Sequence, residues 1–184
     1  YRQSLGRFVY QTGMFMRPVF AAAKQHHAAR PARVVYAEGE DERVLRAVQV
    51  VLEEHLASPI LVGRPEVVKM RIERAGLRLQ AGRDFDLCDP ENDPRFREYW
   101  ELYRGVMARE GVTPDAAKAA VRRSNTLIST LMLRRGEADA LICGLNGRFD
   151  AHLAHVRNVI GVKPGAPTMA AMNALMLAQH TLFS

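Results

Sequence analysis

No apolar run in this 184-residue sequence approaches the roughly 20 residues that a membrane span requires. Nor do its first residues follow the charged, apolar and cleavage-site order of a secretory leader. The expectation is a cytoplasmic protein with no membrane partner. Cysteine is scarce. Cys88 and Cys143 lie far apart in apolar stretches with no His or Cys at metal spacing, so both read as buried reduced thiols. Also missing are a dinucleotide glycine fingerprint, a Walker lysine, and any Ser-His-Asp or Cys-His arrangement for nucleophilic catalysis. There is no internal repeat and no low-complexity tract.

What is present is an ordinary globular composition, 48% hydrophobic and 25% charged, in a chain long enough for one sizeable core. The formal charge of +6 invites a nucleic-acid reading, which the distribution rejects. Arginines are spread along the chain beside acids, as in Glu40–Arg46, Arg71–Arg74 and Arg95–Glu101, the pattern of solvated helix faces. No nucleic-acid partner is expected. The sequence opens on Tyr1 and closes on Ser184 just after Leu182 and Phe183, so we expect a segment of a longer polypeptide.

From Leu5 to Ala23 apolar residues recur at spacings of three, four and seven, predicting a helix that Pro18 bends or interrupts. Met14 and Phe15 widen its apolar surface beyond one stripe, so residues 1–30 read as a connector or interface element, with Phe8, Met14, Phe15 and Phe20 as contacts. Ala21–Arg30, closed by Pro31, reads as its exit. Strands are predicted at Arg33–Ala37, Pro59–Gly63 and Phe85–Cys88, with helices through Val44–Leu56 and from Pro65 to about Gly76. Helices follow at Phe96–Glu110, after the Thr113–Pro114–Asp115 start signal, and through Leu127–Leu133. Asp139–Gly144 is a predicted buried strand and Phe149–Ile160 a helix. Strand alternating with helix implies an α/β fold with three αβα layers around a mostly parallel, doubly wound sheet. Thr168–Phe183 is ambiguous: its Ala and Met content favours helix by propensity, while its apolar run also suits a strand.

Ligands in such folds gather at strand-to-helix turns. At the first of these, carboxylates fill the turn Glu38–Gly39–Glu40–Asp41–Glu42, which favours helix capping and salt bridges over phosphate binding. The sharper candidate is Gly144–Leu145–Asn146–Gly147–Arg148, leading into a helix with His152, His155 and Arg157. Arg148 is suited to meeting a phosphate bidentately and the histidines to donating to one, so Gly144, Asn146, Gly147, Arg148, His152 and Arg157 are the candidate ligand-binding residues. The competing reading is a surface helix with polar neighbours. His152 and His155 lack a third ligand in sequence, so no metal is expected.

Val34–Ala47, reading VVYAEGEDERVLRA, resembles the opening strand, acidic turn and first helix of phosphate acetyltransferases. PILVGRPE at Pro59–Glu66 resembles that family's second strand and turn, and Glu110–Thr113 and Gly136–Gly144 keep its order. More closely, Ser4–Phe20 together with Asn146–Gly165 resembles the phosphotransacetylase-like C-terminal part of large bacterial NADP-dependent malic enzymes. The resemblance implies that residues 31–184 are the N-terminal part of such a domain, truncated at its C-terminal side. It also implies a strand around Met169–Leu177.

Function follows from the same resemblance. The implied role is a regulatory acetyl-CoA-binding and oligomerisation module, with acetyl-CoA as effector. The malic-enzyme catalytic domain would be its partner, carrying NADP and a divalent metal elsewhere in the polypeptide, and a homo-oligomer is implied. The family's two substrate arginines fall here, by register, on Met107 and Leu153, so no residue of this chain is expected to be catalytic. A shifted register would hand those roles to Arg104, Arg109, Arg148 or Arg157. The alternatives are a working phosphate acetyltransferase, or a segment that only builds oligomers.

Overall fold

The computed structural model describes residues 16–166, 168–170, 174–176 and 181–183. Four parallel strands, β1 (Arg33–Tyr36), β2 (Ser58–Val62), β3 (Asp86–Cys88) and β4 (Ala140–Ile142), form one sheet in the order β3-β2-β1-β4. Its registers pair Val35 with Ile60 and Leu141, and Leu61 with Leu87. The strand order reverses between β1 and β4, so the turns at their carboxyl ends form the switch point where α/β sheets bind ligands.

Alternation along the strands builds a core on each face. Val35, Ile60 and Val62 face one layer, made of α4 (Phe96–Val106), α5 (Pro114–Arg123) and α6 (Asn125–Arg134), through Tyr99, Val121, Leu127 and Leu131. Tyr36 and Leu61 face the other, where α2 (Glu42–Glu53) and α3 (Pro65–Arg74) supply Leu45, Val48, Val68 and Ile72. This is the expected three-layer arrangement. α6 is the innermost helix, buried from Thr126 through Met132. Two of its buried polar side chains are satisfied within the helix: Ser129 Oγ donates to Asn125 O and Thr130 Oγ1 to Leu127 O, both at 2.8 Å. No loop separates α5 from α6. Ser124 ends the first and caps the second, its Oγ accepting from Leu127 N at 3.2 Å.

Several expectations need correction. α1 runs Met16–Ala29 and includes Pro18, and Ala21–Ala29 is helix body rather than exit. The stretch before Met16, on which the expected bend at Pro18 depends, lies outside the described residues. No residue of α1 is fully buried, and its partly covered side chains, Met16, Phe20, Ala23 and His27, form one stripe. Lys24 pairs with Glu54 at 2.8 Å and Arg30 with Asp139 at 3.4 Å. Phe8, Met14 and Phe15 lie outside the described residues. β4 is not buried: Ala140 and Ile142 are exposed because β1 is the only described strand beside it. Cys88 is buried, but Cys143, on the turn after that edge strand, is only half-buried. The predicted helix to Glu110 ends at Val106, and Ala108–Glu110 is a 3₁₀ turn.

After α7 (Phe149–Val159), β5 (Ala174–Met176) and β6 (Thr181–Phe183) pair antiparallel, a strand outcome where propensity alone favours helix. No helix among the described residues is long and apolar enough to cross a membrane.

Candidate functional site

β1 and β4 deliver two turns side by side, residues 37–41 and 143–148, and a cleft of about 630 Å³ opens between them. Glycine at position 39 is required by packing, since a Cβ there would lie 2.8 Å from Val62 O. The acidic side chains of the first turn are all in use. Glu38 Oε1 accepts from the amides of Gly144 (2.8 Å) and Leu145 (3.2 Å), so a carboxylate of the chain itself occupies the backbone donors at the end of β4. Asp41 caps α2, accepting from Arg43 N at 2.9 Å, and also from Asn146 Nδ2 at 3.2 Å. Arg43 pairs with Asp41 at 2.9 Å and reaches Asn146 Oδ1 at 3.3 Å. Glu40 takes the Arg64 guanidinium on both oxygens at 2.9 Å.

These partners set the protonation states. The hydrogen bond from Arg64 lowers the Glu40 carboxyl, and that from Arg43 holds Asp41 well below the usual carboxylate range. The cleft is therefore anionic: Glu38, Glu40, Asp41 and Glu42 line it against Arg43 and Arg71, with Asn125 on a further wall.

The structure brings together four of the six predicted ligand residues and separates two. Gly144, Asn146 and Gly147 lie in one turn, and His152, at the start of α7, packs against it. His152 Nε2 lies 2.7 Å from Asn146 O, which can only accept, so Nε2 donates to it, and Nδ1 hydrogen-bonds with the Thr126 hydroxyl at 2.8 Å. Both ring nitrogens thus brace the turn against α6. Gly147 sits at φ +100°, and a Cβ there would stand 3.0 Å from His152 Nε2. Arg148, highly exposed, is held by Asp150 at 2.7 Å. Arg157 is exposed in the last turn of α7, nine residues on, about 14 Å along the axis. His155 is half-buried, and burial followed by the neighbouring His152 lowers its pKa.

At the two positions where the resemblance sets the family's substrate arginines, Met107 is half-buried at the end of α4 and Leu153 partly exposed on α7. Burial, then Glu38, raises the Cys143 thiol, so it is no ready nucleophile. Among the described residues no group of three or more His, Cys, Asp or Glu is placed to hold a metal ion. Sequence reasoning missed Glu38, Asp41, Arg43 and Thr126 as partners of the 143–148 turn. The only available signal was the acidic run after β1.

A parallel α/β sheet with paired turns at its switch point defines a doubly wound α/β class of domain. Within that class the chain belongs to the phosphate acetyl/butaryl transferase family, whose profile matches residues 14–184. It is 48% identical over 183 residues to an NAD-dependent malic enzyme of Rhizobium meliloti and 46% to an NADP-dependent malic enzyme of Escherichia coli. Each match covers 100% of this chain but only 23% and 24% of those proteins, in their C-terminal region. The chain thus spans about a quarter of the length of these relatives. The EutD phosphotransacetylase of Staphylococcus aureus shares the fold, with a TM-score of 0.78 at 19% identity, over 91% of this chain and 49% of that one.

Proposed function

We propose that this chain is a non-catalytic, acetyl-CoA-responsive module of a malic enzyme, and that ligand binding to it adjusts the oxidative decarboxylation of malate carried out by another part of the polypeptide. One observation carries the reading. Around the switch point Arg43, Arg64 and Arg148 are paired with carboxylates of the same chain, Arg71 shares the cleft with Glu38, Glu40, Asp41 and Glu42, and Glu38 fills the amides at the end of β4. Acetyl transfer to phosphate needs positive groups aimed at the transferred oxyanion. The same place here has carboxylates. Similarity to malic enzymes along the whole chain supports the parent assignment. NADP and a divalent metal belong, in this reading, to the partner catalytic domain. Regulation further requires that acetyl-CoA bind two states of the protein with different affinity.

The test is a titration of acetyl-CoA into the whole protein while malate-dependent NADP reduction is followed. A changed rate is expected, and an unchanged one removes the proposal. A coupled assay for acetyl phosphate from acetyl-CoA and phosphate should stay at background; turnover would make the chain a working phosphate acetyltransferase. Oligomer formation through the leading segment is checked by Phe15→Glu, expected to lower the solution mass of the whole protein without abolishing its response to acetyl-CoA.

A further inference from the structure

Each carboxylate lining the switch-point cleft already has a partner. Glu38 accepts the Gly144 and Leu145 amides, Glu40 holds Arg64, Asp41 holds Arg43, and Glu42 pairs with Arg46 at 2.7 Å. Arg71 is different. It stands half-buried on α3, lines the same cleft of about 630 Å³, and its side chain makes no hydrogen bond or ion pair among the described residues. Its Nε is enclosed without an acceptor. The Glu40 carboxyl, lowered first by the hydrogen bond from Arg64, feels Arg71 only as a more distant charge. An enclosed donor left without an acceptor destabilises a fold, so its retention calls for a reason. A second uncommitted group lines the cleft from the other side. Asn125, the first residue of α6, lends its carbonyl to Ser129, but its side-chain amide has no partner among the described residues. Because α3 and α6 pack on opposite faces of the sheet, a guanidinium and a neutral amide with unused donors bracket the carboxyl ends of β1 and β4.

We infer that this cleft binds a small organic acid carrying one carboxylate, seated on the Arg71 guanidinium, with a neutral polar group at its far end for Asn125. The planar fork of a guanidinium matches the two oxygens of a carboxylate. Charge sets the limit of one. Glu38, Glu40, Asp41 and Glu42 surround the seat, and a phosphate, close to doubly charged at neutral pH, meets more repulsion there than a single carboxylate does. A cationic ligand fits less well, because it competes with Arg43, Arg46 and Arg64 and with the two amides on Glu38 for carboxylates already in use. The volume lies within the roughly 300–1,000 Å³ of small-molecule sites. This inference concerns Arg71 and not acetyl-CoA, so a failed effector titration leaves it standing.

In the whole protein, modification of Arg71 by p-hydroxyphenylglyoxal is followed by peptide mass spectrometry, with the exposed Arg157 as internal control. Three probes are compared at equal ionic strength: succinamate, with one carboxylate and a terminal amide; succinate, the same skeleton with two carboxylates; and inorganic phosphate. Saturating succinamate is expected to slow the modification of Arg71 about tenfold and leave Arg157 unchanged, while succinate and phosphate slow it less than about twofold. Asn125→Ala, which keeps the Ser124 cap, is expected to raise the half-protecting concentration of succinamate about tenfold through the loss of one hydrogen-bonding partner. Four results overturn the inference: no protection by succinamate, equal protection by succinate or phosphate, an Arg71 that resists the reagent before any acid is added, or an Asn125→Ala protein that behaves like the unsubstituted one.

Discussion

Gly147 shows how closely the switch-point turn is fixed at the level of one residue. Its φ of +100° lies where a side chain is strained, and the added carbon would press on the ring nitrogen that holds Asn146. Gly147→Ala should cost about 1–3 kcal/mol of stability, measured by urea denaturation, and should loosen the His152–Thr126 bridge. Little of this was legible in the sequence. His152 reads there as a donor for a ligand, because a histidine after a glycine turn on an exposed-looking helix has no visible partner. The partners are a backbone carbonyl six residues back and a hydroxyl on α6, and only the packing of α7 against α6 brings them into reach.

At the scale of elements, the acidic start of α2 ties three turns together through Glu40–Arg64, Asp41–Arg43–Asn146 and Glu38–Gly144. Glu40, Asp41 and, beside β4, Asp139 titrate below their ordinary values because the arginine donors Arg64, Arg43 and Arg33 stabilise the charged forms. Depressed carboxyl values contribute stability above the unfolded range near about 4, and that contribution is lost as pH falls through the folded values. Urea midpoints should therefore be flat above about pH 5 and fall steadily below it, and Glu40→Gln should lessen the fall. The elements themselves were largely readable, since β-branched runs and helical periodicity survive in the sequence. β4 was placed correctly but given the wrong burial. DALICG is apolar enough for an interior strand, and whether a strand lies inside a sheet or at its edge depends on pairing that local composition does not encode.

At the scale of the whole fold, the two cores meet across a sheet of four strands among the described residues, and α6 is the member buried on nearly every side. Leu131→Ala should cost about 2–5 kcal/mol in denaturation experiments, well above the cost of truncating a residue of the exposed α1. The fold class was evident because βα alternation leaves few topologies. The turn at the switch point was legible for the same reason, but its partners were not: Glu38 and Gly144 stand 106 residues apart and become neighbours only when β4 pairs with β1.

The Ser124 junction sets a limit on how this protein can vary in length. One hydroxyl closes α5 and opens α6, leaving no spare residue between them. An insertion there would turn α6 by about 100° about its axis. Leu127 and Leu131 would leave the interior, and Thr126 would swing away from the histidine it steadies, so the same added residue would unpack the centre and release the rim.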